Sequence, residues 1–243
     1  MKRICIIGNS HAGTIRRAFD NLPKDYLEEK NLQVTIHSIL DLHEHLYLDK
    51  HYLRTSNGDV SFFLHKNTGK YNIDLSQYDC IVSYGGGLMA NPQGWSQHVK
   101  DYQSGRYSRA ALLQSHIDDI NESHAVKLLT KIINASFNFQ HEIIVLPSPV
   151  SNESHPDLKL ITTDIPDYMD YIEDIYHKHF KSQLISFLSL PRQLLAQNGF
   201  SISRKYKKEV ANDHLHLNDD GGKIVATLLL EHLTNMYKQE RPT

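Results

Sequence analysis

Two short motifs near opposite ends of the sequence carry residues that could perform acyl-transfer chemistry together. The first spans residues 8–13 (GNSHAG), a glycine-rich turn that follows an apolar run. The second spans residues 213–218 (DHLHLN), in which Asp213 precedes His216 by three positions. A serine nucleophile, an imidazole base and a carboxylate that orients the base are the three groups of nucleophilic acyl transfer. The motifs therefore indicate Ser10, His216 and Asp213 as the candidate nucleophile, base and carboxylate.

The first motif places Ser10 where backbone N–H groups and the positive end of a helix converge. This position suits a nucleophile, because a developing oxyanion would also be stabilised by the helix N-terminus. A phosphate-binding loop is disfavoured because Thr14 stands where such loops carry lysine. A dinucleotide-binding turn is disfavoured because Ser10 replaces its second glycine. Ser10 could also serve only as the N-cap of the helix.

The second motif suits an acid/base pair. A carboxylate three residues before an imidazole can accept the Nδ1 proton, which leaves Nε2 facing outward as a general base. The alternative is a polar loop with solvated side chains, since the sequence contains 16 histidines and chance proximity is common. His43 and His45 could instead hold a metal ion, but no further Cys/His set with zinc spacing accompanies them.

The elements that must position these residues follow from hydrophobic periodicity. Short apolar runs alternate with helical stretches, which indicates a mainly parallel sheet covered by helices on both faces. The predicted strands are residues 4–7, 34–36, 80–84 and 143–146. The predicted helices are residues 11–22, 106–136 with a break near 121–123, 168–198 with a break at Pro191, and 222–237.

The segment between strands two and three breaks this alternation. Turn signals at Asn57-Gly58 and Thr68-Gly69 flank the apolar run 60–64, which predicts an inserted β-hairpin or three-stranded flap. No repeat or linker interrupts the rest of the chain, so we expect one domain over residues 1–243.

Composition excludes several functional classes. With a formal charge of −2 and a pI near 6.8, the protein has no net positive charge that would attract nucleic acid or an anionic membrane. The apolar runs are far shorter than the roughly 20 residues of a membrane span, and residues 4–7 are too short for a signal-peptide core. Cys5 and Cys80 lie in apolar runs and are expected as buried thiols. We expect a cytoplasmic protein without a nucleic-acid partner or a membrane span, and the sequence leaves the oligomeric state open.

Taken together, the two motifs resemble the blocks of the SGNH, or GDSL-type, hydrolase superfamily. Gly8-Asn9-Ser10 matches its first block, with Asn9 in place of the usual aspartate, and Asp213-x-x-His216 matches its last block. The resemblance implies a flavodoxin-like, three-layer α/β/α sandwich. It implies that Ser10 attacks an acyl ester, that His216 takes the serine proton and that Asp213 orients His216. It also implies no metal and no organic cofactor.

The middle blocks of that family supply an oxyanion-hole glycine and asparagine, and here the sequence departs from the pattern. After strand three it reads GGGLMAN over residues 85–91, with Gly87 where the asparagine would fall. The expected oxyanion donors are the Ser10 N–H and an N–H of Gly86 or Gly87, with Asn91 as a side-chain donor. The alternative for the three glycines is a close-packed turn.

The residues near the motifs favour a carbohydrate ester as substrate. Aromatic side chains follow strand three, and such rings either stack on sugars or pack in the core: Tyr84, Trp95, Tyr102 and Tyr107. The basic run RKYKK over residues 204–208 could attract an anionic substrate.

We therefore predict a serine hydrolase that removes O-acyl groups, especially acetyl groups, from a glycan or a small-molecule ester. Two alternatives remain open at this point. One is a carbohydrate O-acetyltransferase that uses the same three residues. The other is a non-enzymatic module that binds a phosphate or nucleotide.

Overall fold

The computed structural model of the chain describes residues 1–39, 46–85, 92–136, 141–149, 151, 155, 166–197, 199, 201–210, 213 and 215–238. Its strands are β1 (Lys2–Gly8), β2 (Leu32–Ser38), β3 (Leu46–Asp49), β4 (Tyr52–Thr55), β5 (Ile73–Asp74), β6 (Cys80–Tyr84), β7 (Glu142–Leu146) and β8 (Ser186–Phe187). Its helices are α1 (Ser10–Asp20), α2 (Tyr26–Glu29), α3 (Gly58–Thr68), α4 (Pro92–Ser104), α5 (Arg109–Glu122), α6 (His124–Ser136), α7 (Pro166–Lys181) and α8 (Asp219–Lys238).

Five of these strands form a parallel sheet in the order β2-β1-β6-β7-β8. The chain first adds β2 on one side of β1 and then crosses to the other side, so the strand order reverses between β1 and β6. This is the flavodoxin-like order, in which ligands bind at the carboxyl edge where the order reverses. The predicted fold class is confirmed.

The three central strands β1, β6 and β7 are buried on both faces because their successive side chains enter different cores. Ile4 and Ile6 of β1 belong to the core that contains α1 and α8. Cys5 and Ile7 belong to the core that contains residues of α4, α5, α6 and α7. The result is three layers, and both cysteines are buried free thiols as expected.

The insertion between β2 and β6 is a three-stranded antiparallel sheet, β3-β4-β5, accompanied by α3. A hairpin is therefore present, but its predicted place was wrong, because residues 60–64 lie in α3. Asn57 is the N-cap of α3, and its Oδ1 accepts hydrogen bonds from Asp59 N and Val60 N at 2.9 and 3.2 Å. Gly69 ends the helix in the left-handed conformation, with φ of 70°. The two turn signals were helix caps.

The predicted helix over residues 168–198 was also wrong in its second half. Helix α7 ends at Lys181, and the chain turns through Leu184, which has φ of 60° and is 92% exposed. It then forms β8, an edge strand of two residues that is too short to show a period of two. By contrast, the predicted break near residues 121–123 is confirmed, because Ser123 Oγ accepts a hydrogen bond from Val126 N at the start of α6. None of the described helices is long and apolar enough to cross a membrane.

Close packing of α1 against α8 brings the two sequence motifs together, since α1 begins within the first motif and α8 directly follows the second. The approach requires glycine at position 222. A Cβ atom added there would lie 2.6 Å from Thr14 Cγ2 and 3.0 Å from the Thr14 carbonyl oxygen. Around this contact, Ile15 of α1 and Val225 of α8 are fully buried.

Replacement of Gly222 by alanine should therefore separate the two helices. We expect Gly222→Ala to lower the free energy of unfolding by about 1–3 kcal/mol, as overpacking does in other cores. Gly58→Ala is the matched control, because a Cβ atom at Gly58 meets nothing within 4 Å. Urea unfolding of both variants measures the difference, and equal stability of the two would contradict this packing.

Candidate active site

The candidate site lies at the carboxyl edge of the sheet, where the strand order reverses. Ser10 follows the end of β1, and Gly85 follows the end of the neighbouring strand β6. In a parallel sheet these two ends meet at the same edge, beside the N-terminus of α1. Ser10 thus combines a rigid strand-to-helix turn with the positive end of a helix dipole.

Asn9, and not Ser10, is the N-cap of α1. The Asn9 side-chain oxygen accepts a hydrogen bond from His11 N at 3.1 Å. The capping role considered for Ser10 therefore belongs to its neighbour, and the serine hydroxyl is used elsewhere. Ser10 Oγ lies 2.7 Å from Nε2 of His216, a residue 206 positions away.

Asp213 holds the other side of the His216 ring. Both carboxylate oxygens lie 2.9 Å from His216 Nδ1. Oδ1 also accepts hydrogen bonds from the backbone N–H groups of Leu215 and His216 at 3.2 and 3.0 Å. A carboxylate can only accept, so Nδ1 carries the imidazole proton and Nε2 is left to accept from the Ser10 hydroxyl.

The environment keeps the Asp213 carboxyl ionised. Burial by itself raises the pKa of Asp213, but the hydrogen bonds from the His216 backbone and ring, the charge of His216 and the Leu215 N–H together outweigh it. The pKa of Asp213 therefore lies below its ordinary value. An ionised Asp213 favours the imidazolium that forms when His216 takes up a proton.

The loop that carries His216 is fixed by the basic run at residues 204–208. Lys208 N donates to the His216 carbonyl oxygen at 3.1 Å, and Asn218 N donates to the Tyr206 carbonyl oxygen at 2.8 Å. Asn218 Oδ1 accepts from Gly221 N at 3.0 Å in the first turn of α8. Between these anchors, Leu217 is buried in the core below. The basic residues thus adjoin the His216 segment in space as well as in sequence.

His11 packs against the candidate catalytic base. Its side chain is 4% exposed, and its ring centroid lies 5.2 Å from that of His216 and 6.1 Å from that of Tyr84. Burial, reinforced by the charge of His216 and partly opposed by Asp213, lowers the pKa of His11 to about 3. His11 is therefore a buried, neutral ring that lines one side of the site.

Gly85 begins the predicted oxyanion turn. Its φ is +87°, and a Cβ atom there would lie 2.7 Å from Asn9 Oδ1 and 3.3 Å from Ser148 Oγ. A glycine is required at this position for both reasons, as the close-packed-turn alternative supposes. Gly86, Gly87 and Asn91 lie outside the described residues, so their roles as oxyanion donors stay predictions, as does that of the Ser10 N–H.

Ser148, which sequence reasoning missed, also lies at this edge. It comes two positions after the end of β7 and is fully buried, and its Oγ would lie 3.3 Å from a Cβ atom at Gly85. A polar residue two positions after a predicted strand of a parallel sheet was the signal that could have found it.

The aromatic residues after β6 do not share one surface. Tyr84 is buried, and Tyr102 packs against Tyr171 with ring centroids 5.8 Å apart, so both follow the core-packing alternative. Tyr107 is 54% exposed. The Trp95 side chain lies outside the described residues, as do His43 and His45.

No protein-family model and no curated protein matches this sequence. Solved structures with a similar overall fold include hydrolases of the GDSL type. A GDSL-like lipase from Bacteroides thetaiotaomicron is 12% identical, with 97% of this chain and 89% of that chain covered and a TM-score of 0.44.

Two further similar structures carry names that mention acetyl groups. A carbohydrate acetylesterase family member from Sinorhizobium meliloti is 12% identical, with coverage of 97% and 98% and a TM-score of 0.43. The periplasmic domain of a lipopolysaccharide acetyltransferase from Salmonella ser. Paratyphi A is 12% identical, with coverage of 96% and 84% and a TM-score of 0.47. The side chains of this protein, rather than these likenesses, carry the functional inference below.

The lowered pKa of Asp213 predicts a pH-dependent contribution to stability. Because the folded pKa lies below the unfolded one, the contribution is present at pH values above about 4 and is lost as the pH falls through the lower folded value. We expect the stability advantage of the wild type over Asp213→Asn, measured by urea unfolding, to shrink between pH 6 and pH 3. Asp20→Asn on the exposed end of α1 controls for the loss of one negative charge, and a constant difference for Asp213→Asn would contradict the prediction.

The burial of His11 predicts that its imidazole does not titrate in the physiological range. We expect the ring nitrogen chemical shifts of His11 in NMR spectra to stay those of a neutral imidazole from pH 8 to pH 5, because its pKa is lowered to about 3. His11→Gln identifies these resonances by their disappearance. A titration of His11 with a midpoint between pH 5 and pH 8 would show that the ring is solvated.

Proposed function

We propose that this protein is a serine-dependent hydrolase of acyl esters that works through an acyl-Ser10 intermediate. One observation carries the proposal: a continuous hydrogen-bonded chain from Asp213 to His216 at 2.9 Å and from His216 to Ser10 at 2.7 Å. The order and the atoms used, carboxylate to Nδ1 and Nε2 to hydroxyl, are those that activate a serine.

The proposed reaction has two halves. Ser10 Oγ attacks the ester carbonyl carbon while its proton passes to His216 Nε2, and the alcohol then leaves with that proton as the C–O bond breaks. Water next attacks the acyl-Ser10 carbonyl, gives one proton to His216 and releases the carboxylic acid. Ser10 Oγ recovers its proton from His216, so the enzyme ends as it began.

Each described group has one part in this cycle. Asp213 accepts the hydrogen bond from His216 Nδ1–H and stabilises the imidazolium of His216. The N-terminus of α1 is directed at the charge that develops on the carbonyl oxygen, with the Ser10 N–H as a donor. Loss of one oxyanion donor typically costs about 10²–10³ in rate, so a second donor is required, and Gly86, Gly87 and Asn91 are our candidates.

For the substrate, we propose O-acetyl groups of a carbohydrate. The basic run at residues 204–208 supports an acidic glycan, because Lys208 bonds to the His216 backbone and Arg204 and Lys205 are exposed. Tyr107 is the one exposed ring of the three tyrosines considered for sugar stacking. Tyr84 and Tyr102 give no support, since both are packed inward.

A carbohydrate O-acetyltransferase is the second candidate, because the same acyl-Ser10 intermediate could be resolved by a sugar hydroxyl in place of water. Release of acetate from p-nitrophenyl acetate in the presence and absence of oligosaccharides separates the two. A hydrolase releases acetate equally in both cases, whereas a transferase forms acetylated oligosaccharide at the expense of acetate.

Replacement of the nucleophile tests the proposal against a non-enzymatic binding module. We expect Ser10→Ala to reduce turnover of p-nitrophenyl acetate by at least about 10³-fold while circular dichroism and urea unfolding stay close to those of the wild type. Ser61→Ala on α3 is the matched control and should retain full turnover. Unchanged turnover in Ser10→Ala would exclude the acyl-enzyme mechanism.

A further inference from the structure

A cluster of three potential metal ligands lies between α4 and α5, on elements that carry none of the three candidate catalytic residues. We propose that His98 of α4 and His116 and Asp119 of α5 bind a divalent transition-metal ion, with zinc as the best fit. One ligand atom from each of the three residues lies within 4.8 Å of the other two. The inference stands apart from the proposed esterase activity.

The geometry of the cluster is close to that of a bound site. His98 Nε2 lies 2.7 Å from Asp119 Oδ2, and the His98 and His116 rings are tilted by 39° with centroids 4.3 Å apart. His116 and Asp119 are three positions apart on α5, so they project from the same face of the helix. The site therefore joins two helices through side chains that already converge.

Only small side-chain movements would admit an ion. Zinc sits about 2.0–2.2 Å from imidazole and carboxylate ligands, so tetrahedral ligand atoms are about 3.3 Å apart. Asp119 is the ligand that must withdraw from its hydrogen bond with His98, and its side chain is 64% exposed and has room to do so. His116, in contrast, is buried and supplies a fixed point.

The chemistry of the ligand set selects the kind of ion. Two imidazoles with one carboxylate suit zinc and the neighbouring divalent transition-metal ions, whereas magnesium and calcium prefer sites made of oxygen ligands only. Each imidazole has two nitrogens, so one can bind the ion while the other keeps a hydrogen bond. Three protein ligands leave a fourth position for water.

The position in the chain gives the site a structural role. Helix α4 begins at Pro92, directly after the segment that carries the expected oxyanion residues, and α4 leads to α5 through Gly105 with φ of 61°. An ion shared by His98 and α5 would fix the orientation of α4. This departs from the sequence expectation of no metal site, and it involves no step of the reaction at Ser10.

Calorimetric titration tests the site directly. Protein without a histidine tag, stripped with a chelator, is titrated with Zn²⁺ and separately with Mg²⁺. We expect one Zn²⁺ per chain and no comparable binding of Mg²⁺. Asp119→Asn and His116→Ala should each weaken Zn²⁺ binding by about 100-fold or more, because loss of even an outer-shell partner typically costs about 10–100-fold.

Two control variants make the result specific. His65→Ala removes a histidine of α3 that stacks on Tyr71 and is not one of the proposed ligands, and it should bind Zn²⁺ like the wild type. His216→Ala should also bind normally, which separates this site from the candidate active site. His116 is buried, so His116→Ala could fail to fold, and Asp119→Asn is then the deciding variant. Zn²⁺ should raise the melting temperature of the wild type but not that of Asp119→Asn. No stoichiometric Zn²⁺ binding in the wild type, or equal binding in Asp119→Asn, would overturn the proposal.

Discussion

A single hydrogen bond, from the Ser10 hydroxyl to Nε2 of His216, joins residues 206 positions apart and sets the demands on the rest of the fold. It forms only if the end of β1 and the segment before α8 reach the same edge of the sheet. Glycine at position 222 permits the close approach of α1 and α8. Backbone hydrogen bonds between residues 204–208 and the His216 segment hold that segment in place over the core. The candidate site is thus a consequence of helix packing on one face of a parallel sheet.

The groups around that bond differ in charge because their surroundings differ. Hydrogen bonds hold the pKa of Asp213 below its ordinary value, whereas burial lowers the pKa of His11 and keeps that ring neutral. The result is one stable anion on the Nδ1 side of His216 and a neutral ring, that of His11, packed beside it. Such a difference between the charge states of neighbouring titratable groups is what an acid/base mechanism at neutral pH requires.

The sequence was sufficient for the parts of the structure that depend on local pattern. The apolar runs of β1, β6 and β7 predicted the central strands, and the spacing of Asp213 and His216 predicted a pair that meets across a turn. It was insufficient where tertiary context decides. The run at residues 60–64 is helical because Asn57 and Gly69 act as caps, and β8 is too short to leave a periodic signal. Likewise, only the fold reveals that Asn9 caps α1 and so leaves the Ser10 hydroxyl to His216.

The central claim is that His216 and Asp213 make Ser10 a nucleophile. The most direct measurement is reaction of the folded protein with a fluorophosphonate probe, followed by mass spectrometry to locate the modified residue. We predict a single phosphonylated serine at Ser10, with labelling lost in His216→Ala and strongly slowed in Asp213→Asn. No labelling of the wild-type protein, or labelling at Ser10 that is equally fast in His216→Ala, would contradict the claim.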